Sequence, residues 1–418
     1  MGRLINSSFK ISTTKVMMII IMLCACQWMA IFHTGNFIYK ADFINLTTII
    51  ISMLFIVLLS FRPVVQKRWT GKYGIWVLFS IMLWAIECIN SFVSYSGYGQ
   101  SLINTLSASF GSLAVITLYP MCYFQEKISD KDYLKKIIKV LGCLAAIFTI
   151  IQVFLYDYGI VIFDISGTSI RNGTLRFSIA GYVVSIAFII TVFDGIKTRK
   201  TSDLIIAIVE IVFFAFAQKT RTEIMYLFLT TYFVAILFLK RKSIKIILAI
   251  LGGGAVIVAI GSGFVETYIS ELGSDAGVSM RFETIRYYMQ QFAEHPLLGM
   301  GYIQSSTSNS NLYGLLYGSG RYAGYFYRDD VGLIGVMNEK GILGLIWYVS
   351  LMIMMLKQIL SMYKKDKKEY VWMLAIWFYV AMCSVNIIYV NSLRLTTLLS
   401  VIAMIQHYYL ISMERRPQ

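Results

Sequence analysis

The sequence predicts an all-α polytopic membrane protein with about 12 transmembrane helices. Of its 418 residues, 58% are hydrophobic and only 14% are charged, and the mean hydropathy is +0.69. A soluble domain contains about 25% charged residues, so this composition excludes that class. The apolar residues recur in runs near the length of about 20 that a helix needs to cross the hydrocarbon core, whereas membrane β-strands alternate over about ten residues.

The apolar runs define the expected helices, and the chain from 1–418 is expected to form one transmembrane bundle. In chain order the expected spans are 16–36, 44–61, 74–94, 102–123, 137–156, 177–195, 203–218, 222–239, 244–263, 332–356, 370–390 and 395–412. The first run is long and lacks an Ala-x-Ala-like cleavage site, so it is interpreted as a retained span. Two outer loops have any size, the smaller at 157–176 and the larger at 264–331.

Basic residues in the loops predict the orientation of the bundle. Lysine-rich segments, including both termini and 357–369, alternate with poorly charged ones, and the positive-inside rule places the lysine-rich segments in the cytoplasm. On the other side arginine outnumbers lysine. The outer cations are Lys40, Arg171, Arg176, Lys219, Arg221, Arg281, Arg286, Arg321, Arg328, Lys340 and Arg394.

Two of these outer cations, Lys219 and Arg221, stand directly before an expected span, against the positive-inside rule. Arginine binds phosphate or carboxylate oxygens bidentately and keeps its charge when it is desolvated. An anionic ligand shared by the outer arginines would explain why they are there. The alternative is that Arg221 pairs with Glu223, or with Glu210 inside the preceding span.

The cysteines give no sign of a disulfide framework or of metal-ligand spacing, because all lie within apolar runs. They are Cys24, Cys26, Cys88, Cys122, Cys143 and Cys383. No metal, no other cofactor and no nucleic-acid partner is predicted. Cytoplasmic segments such as "KKDKKEY" (364–370) indicate orientation and contact with the lipid bilayer.

The larger outer loop contains a predicted amphipathic helix over 281–294, within "MRFETIRYYMQQFAEHPLLGMGY". Apolar residues recur there at spacings of 3, 4 and 3, namely Phe282, Ile285, Met289 and Phe292. Pro296 follows the end of this pattern. The apolar face is expected to rest on the bundle or on the lipid interface. Arg281 and Arg286 then point either towards a cavity or into solvent.

After this helix the loop is rich in tyrosine. Tyr322, Tyr325 and Tyr327 lie among Ser, Asn and Gly without a helical period. A tyrosine ring offers an apolar face and an edge hydroxyl, which suits stacking on a sugar. An aromatic belt at the membrane interface explains the tyrosines equally well.

Two carboxylates, Asp329 and Asp330, meet the outer end of the tenth expected span, in "RDDVGLIGVMNEKGILGLIWYV". One alternative is an ion pair with Arg328. The other is a general base, because partial desolvation at the mouth of an apolar cavity raises a carboxyl pKa towards a useful range. Glu339 lies nearly three turns deeper and should face the bundle interior, where a charge needs a partner.

Three of these motifs, taken in order, resemble the O-antigen ligase and Wzy-type polysaccharide polymerase superfamily. They are "TRTE" before a span, the loop sequence around Arg281, and "DDVGLIGVMNEKGILG" entering the next span. In that family an arginine opens the loop helix, a Pro-x-x-Gly-x-Gly stretch ends it, and Glu-x-Gly-x-x-Gly follows the catalytic position. The corresponding residues are Arg281, Pro296 to Gly301, and Glu339, Gly341 and Gly344. The resemblance covers 165–350.

The resemblance implies a GT-C-like membrane glycosyltransferase in the bacterial inner membrane, with its active site on the outer face. Its substrates would be undecaprenyl-diphosphate-linked oligosaccharides, used without a nucleotide sugar or a metal. The growing glycan would pass as a block to the acceptor sugar hydroxyl, with inversion. A chain-length regulator and a flippase are further implied partners.

The resemblance also implies the roles of individual residues. Asp330 would be the catalytic base, with Asp329 as its substitute. Arg171, Arg221 and Arg281 would bind the diphosphate. Behind them stand Arg286 and Arg176, and the glycan contacts would be Tyr322, Tyr325 and Tyr327.

One departure from the family pattern bears on the choice of reaction. Ligases resemble one another in having a histidine eleven residues before the glycine that corresponds to Gly341, where this chain has Asp330. The aspartate favours a repeat-unit polymerase. A glycan ligase of the same superfamily and a lipid-linked polysaccharide transporter stay open as alternatives.

Overall fold

The computed structural model of the chain describes part of its length. The described residues are 12–26, 49–54, 73–103, 105, 110–162, 168–171, 174–177, 181–218, 221–238, 276–302, 328–386, 388, 390 and 394–414. Of the expected spans, 244–263 lies outside the described residues. The spans described only in part are 16–36, 44–61, 102–123, 177–195, 222–239 and 370–390.

The described residues are mostly helical, as the composition predicted. The α-helices are α1 (Thr13–Ala25), α2 (Gly74–Tyr98), α3 (Leu118–Lys127), α4 (Tyr133–Tyr156), α5 (Gly181–Thr198), α6 (Thr201–Phe213), α7 (Arg221–Phe238), α8 (Ala276–Glu294), α9 (Leu333–Lys365), α10 (Lys367–Cys383) and α11 (Leu395–Glu414). A 3₁₀ helix, Phe110–Thr117, leads into α3, a π-helical segment, Phe214–Gln218, extends α6, and a 3₁₀ turn, Arg328–Val331, precedes α9.

The protein is membrane-embedded. Among the described residues, 6 helices are long and apolar enough to cross a bilayer: α2, α4, α5, α6 with its π-helical extension, α9 and α11. Short apolar α1 belongs with them by composition, although it has only 13 residues. The prediction of a mainly helical membrane protein is therefore confirmed.

A β-hairpin within 157–176 and its flank was not predicted. Strand β1 (Thr168–Arg171) pairs antiparallel with β2 (Thr174–Phe177), with Arg171 opposite Thr174. The sequence between the strands is Asn-Gly, the pair most favoured in two-residue hairpin turns, and β-branched residues flank it. The hairpin therefore has a local cause in the sequence.

The helices pack side by side in a bundle. Helix α4 lies against α5, α5 against α6, α7 against α10, and α9 against α2, α10 and α11. At Gly142 of α4 a Cβ atom would lie 3.3 Å from the carbonyl oxygen of Val183 and would overlap Ala187. Small residues allow such close approach between membrane helices.

One end of the bundle carries a group of ion pairs. Lys139 of α4 pairs with Asp203 of α6 and lies 3.5 Å from Asp194 of α5. Glu369 of α10 pairs with Lys131 at 3.1 Å and with Lys197. This lysine-rich end is the one that the charge pattern assigned to the cytoplasm. The starts of α5, α7, α9 and α11 lie at the opposite end, with α8.

Candidate functional site

A break in α9 organises the end of the bundle opposite to the lysine-rich one. Gly341 has φ +60° and ψ −159°, which interrupts the helix eight residues after its start at Leu333. A helix break leaves backbone groups without intrahelical partners, and these need partners elsewhere. The partners come from the larger outer loop.

Residues 296–301, which we term the latch, supply those partners. The backbone N–H of Met300 donates to the carbonyl oxygen of Asn338 at 2.7 Å, and that of Gly301 donates to Glu339 at 2.9 Å. In return, the N–H of Ile342 donates to the carbonyl oxygen of Pro296 at 2.8 Å. The two glycine motifs recognised in the sequence are thus two sides of one backbone contact.

Glycine is required on both sides of this contact. Gly299 has φ +67°, and a Cβ there would lie 2.6 Å from both the carbonyl oxygen of Asn338 and the nitrogen of Gly341. A Cβ on Gly341 would lie 2.6 Å from the nitrogen of Leu298. Gly301 has φ +68° and would place a Cβ 2.6 Å from the carbonyl oxygen of Asn90 on α2. The latch is therefore wedged between α2 and the break in α9.

A buried charge cluster lies beneath the latch. The Lys340 ammonium pairs with its neighbour Glu339 and, at 2.9 Å, with Glu87 of α2. Glu87 also accepts a hydrogen bond from the Ser112 hydroxyl at 2.6 Å. Lys340 lies 4.7 Å from the ring centre of Tyr302, just after the latch, and burial raises the pKa of Tyr302 well above its ordinary value. Glu339 is thus paired within the bundle, as its depth in the span predicted.

Arg328 links the 3₁₀ turn before α9 to the latch. Its guanidinium donates to the carbonyl oxygen of Gly301 at 2.7 Å and lies 3.9 Å from the Glu339 carboxylate. It also lies 5.9 Å from the ring centre of Tyr288 on α8. The next two residues of the turn are Asp329 and Asp330, whose side chains lie outside the described part of the structure.

The other side of that turn rests on the end of α10. The N–H of Leu333 donates to the carbonyl oxygen of Ser384 at 2.9 Å, and a Cβ at Gly332 would lie 2.6 Å from the carbonyl of Val385. The backbone of Asp329 and Asp330 is therefore held between the latch and α10.

Helix α8 packs on the bundle through a face that includes polar side chains. Phe282 and Met289 are 69% and 39% exposed, whereas Thr284, Tyr288 and Gln291 are buried. Of the two contacts expected for the apolar face, the bundle does not cover these two residues, and contact with the lipid interface stays a prediction. Polar side chains are buried instead because they find partners, as when the Asn338 amide donates to Gln291 at 3.0 Å.

The two arginines of α8, Arg281 and Arg286, point in different directions. Five helical positions separate them, which turns their side chains about 140° apart. Arg281 is half-buried on the packed side and lies within electrostatic range of Tyr226 on α7. Arg286 is exposed, on the side of Phe282 and Met289. The structure thus places Arg281 near α7 and leaves Arg286 on the exposed face of α8.

The start of α7, where Arg221 is the first residue, is fixed by the buried Glu223. Its carboxylate accepts hydrogen bonds from the Gln218 amide at 2.8 Å, the Tyr379 hydroxyl at 2.8 Å and the Ser185 hydroxyl at 3.4 Å. Glu223 is thus held by α5, α10 and the π-helical segment. The Arg221 side chain lies outside the described residues.

Arg394, directly before α11, is a cation that sequence reasoning grouped with the outer arginines but did not assign to the site. It is buried, lies within electrostatic range of Glu223, and stands 4.4 Å from the ring centre of Tyr182 at the start of α5. Its signal in the sequence was its side of the membrane alone, because its partners are more than 150 residues away in the chain.

The remaining predicted site residues are placed only in part. Arg171 ends β1 and Arg176 lies in β2, whose strand packs against the π-helical segment, but their side chains are not described. The glycan-contact candidates lie outside the described residues: Tyr322, Tyr325 and Tyr327. Within the described ranges, no group of three or more His, Cys, Asp or Glu residues is arranged to hold a metal.

A comparison with protein-family models finds no family that matches this chain, and a comparison with curated proteins finds no matching relative.

Proposed function

We propose that this chain is a membrane glycosyltransferase of the O-antigen ligase and Wzy-type superfamily. In this proposal it polymerises undecaprenyl-diphosphate-linked oligosaccharide repeat units of a surface polysaccharide, such as an O-antigen, a capsule or an exopolysaccharide. The observation that carries the proposal is the backbone contact between the latch and the break at Gly341. It joins the two glycine motifs of the resemblance across about 40 residues of chain, beside the turn that contains Asp329 and Asp330.

The proposed reaction is a direct displacement at the anomeric carbon of the donor. The acceptor sugar hydroxyl attacks that carbon, and the bond from the carbon to the diphosphate oxygen breaks. Asp330, with Asp329 as its substitute, takes the hydroxyl proton. Arg171, Arg221 and Arg281 stabilise the negative charge that develops on the leaving diphosphate. Attack from the opposite side inverts the anomeric configuration.

The proposal gives further residues supporting roles. Arg176 shares the hairpin of Arg171, and the exposed Arg286 stands where a lipid-linked diphosphate approaches from the interface. The glycan is contacted by Tyr322, Tyr325 and Tyr327. The undecaprenyl chain lies along apolar helix faces in the bilayer. As the resemblance implies, the reaction needs neither a nucleotide sugar nor a metal.

The proposal includes the full topology predicted from the sequence. About 12 spans of a GT-C-like bundle cross the bacterial inner membrane, both termini are cytoplasmic, and the active site faces outward. The ion-paired end with Lys139 and Lys197 supports this orientation, because it gathers the lysines opposite the latch. A chain-length regulator and a flippase are the protein partners that such a polymerase would work with.

The test is polymer formation in vesicles that contain the purified protein and a lipid-linked repeat unit. We expect the intact protein to produce a ladder of lengthening products, and Asp330→Asn and Arg281→Ala to lose it while remaining folded. Asp157→Asn, at an exposed position, serves as the matched control for the carboxyl substitution and should keep the ladder.

Other results would replace the proposal with one of its alternatives. A single transfer of glycan to an acceptor that is not a repeat unit would indicate a ligase. Movement of lipid-linked substrate across the vesicle membrane, without any ladder, would indicate a transporter whose arginines bind the diphosphate without chemistry.

A further inference from the structure

A second site of interest lies inside the bundle, away from the latch. Glu210 of α6 has 0% exposure, and neither of its carboxylate oxygens has a hydrogen-bond partner among the described residues. A charged carboxylate within a membrane span is costly without a partner, and such residues usually mark a site for a ligand, an ion or a proton. The proposed transfer reaction makes no use of Glu210, so this site is independent of the proposed function.

The groups that face Glu210 come from the two helices packed against α6. From α5, the side chain of Thr191 lies beside it; Thr191 is also 0% exposed, and its hydroxyl has no hydrogen-bond partner in the described structure. From α4, Cys143 and Lys139 lie within electrostatic range. Two buried polar groups thus stand side by side, and neither has a hydrogen-bond partner elsewhere among the described residues.

Among the described residues, the cation within electrostatic range of Glu210 is Lys139, and it already has an ion-pair partner. Lys139 pairs with Asp203, one helical repeat of seven residues before Glu210, and lies 3.5 Å from Asp194. A rise of about 1.5 Å per residue puts Asp203 about 10 Å along α6 from Glu210. Lys139 is therefore an ion-pair partner at the end of the bundle, and Glu210 lacks a hydrogen-bonded counterion.

We propose that Glu210 and Thr191 form a proton-binding site within the membrane bundle. The Glu210 carboxylate takes one proton from water and becomes a neutral carboxylic acid. Its O–H then faces the Thr191 hydroxyl as a donor, and no buried charge is left without compensation. A single bound proton thus removes the buried charge and joins the two groups by a hydrogen bond.

A proton fits this site better than a metal cation. Hard metal cations take about six or more oxygen ligands. Two carboxylate oxygens and one hydroxyl converge among the described side chains, and the titratable groups within electrostatic range are the Cys143 thiol and the Lys139 ammonium.

The site lies where α6 changes its helical form. The π-helical segment Phe214–Gln218 begins four residues after Glu210 and ends at Gln218, whose amide donates to Glu223 at 2.8 Å. Helical segments of this type occur frequently at functional sites. Loss of the proton would leave a buried charge at the base of this segment, so protonation of Glu210 is tied to the packing that fixes the start of α7.

The test is infrared difference spectroscopy of the full-length protein in lipid vesicles, comparing the intact chain with Glu210→Gln at neutral pH. We expect the substitution to remove the carbonyl stretching band of one protonated carboxyl group per protein. Thr191→Val should shift that band without removing it, because the acid loses its hydroxyl partner. Glu369→Gln, which replaces an ion-paired glutamate, should leave the band unchanged.

Two outcomes would overturn the proposal. If intact protein and Glu210→Gln give the same carboxyl region, Glu210 is ionised and binds no proton. If the band is present in potassium buffer and disappears in sodium buffer of the same ionic strength, the site takes a metal cation in place of the proton.

Discussion

The guanidinium of Arg328 donates a hydrogen bond to the carbonyl oxygen of Gly301 at 2.7 Å. This bond joins the last residue of the latch to the residue directly before Asp329 and Asp330. Because the same guanidinium lies near Glu339 and the Tyr288 ring, it connects the latch, the break in α9 and helix α8. Arg328 therefore positions the proposed base in addition to carrying one of the outer charges.

Replacing Arg328 tests this positioning role. We expect Arg328→Ala to lower kcat for polymer formation by about 100-fold, since a shift of about 1 Å in a reacting group can cost that much. KM for the lipid-linked repeat unit should change little, because the residue acts through the turn and not on the diphosphate. The measurement is initial-rate kinetics in vesicles.

Combining substitutions separates positioning from a general loss of structure. If Arg328 acts through Asp330, then Arg328→Ala combined with Asp330→Asn should be no slower than Asp330→Asn alone, because residues that act as a unit are not additive. Multiplied losses in the double variant would contradict the positioning role, as would a large rise in KM for Arg328→Ala.

The glycines of the latch contact should be intolerant of a methyl group. Gly341→Ala forces an alanine to φ +60° and places its Cβ against the latch backbone. Strain at such a backbone position costs about 1–3 kcal/mol. We expect lower thermal stability in detergent and loss of polymer formation. Thermal unfolding, followed by a fluorescent dye or by circular dichroism, measures the first effect.

Gly97 provides the matched control for this substitution. It lies in α2, where nothing stands within 4 Å of an added Cβ and the backbone has no positive φ. Gly97→Ala should leave both stability and activity near those of the intact protein. Equal effects of the two alanines would mean that the latch contact is not what holds the loop.

The helical membrane architecture could be predicted from the sequence because run length and charge are local properties. The apolar run of helix α4, for example, predicts that helix by itself, and the hairpin at Arg171 has a local Asn-Gly signal. The partners within the site were out of reach of such reasoning. Glu87 and Lys340 pair across more than 250 residues of chain, and no pattern in one sequence connects them.

The loop helix shows the same limit in another form. Apolar spacing predicted a helix over 281–294, and the helix spans Ala276–Glu294, so its end was correct and its start lies five residues earlier than expected. Spacing did not predict which face is packed. Gln291 and Tyr288 are buried because Asn338 and Arg328 meet them. A polar side chain becomes a core residue when a distant partner satisfies it, and that partner is a property of the fold.

The divergence of the two arginines on α8 gives unequal expectations for them. Arg281→Ala removes a half-buried charge near the start of α7, so we expect KM for the lipid-linked substrate to rise and kcat to fall by about 10-fold or more. Arg286→Ala removes an exposed charge, which is screened by salt, and should have a smaller effect that disappears at high ionic strength. Kinetics at two salt concentrations provide the measurement, and equal, salt-independent losses would place both arginines on the diphosphate.

Lys340 should be a strong determinant of stability. Lys340→Met removes the cation that Glu87 and Glu339 share, and leaving a buried ion without its partner costs about 3–5 kcal/mol. We expect a large fall in thermal stability.

Adding Glu87→Gln to Lys340→Met should restore part of the lost stability, because the double variant no longer buries the Glu87 carboxylate unpaired. Lys357 of α9, for which the described structure shows no ion pair, provides the control. Lys357→Met should change thermal stability little. A double variant less stable than Lys340→Met alone would contradict this account. It would mean that the hydrogen bond from Ser112 stabilises Glu87 and that the Lys340 charge contributes little.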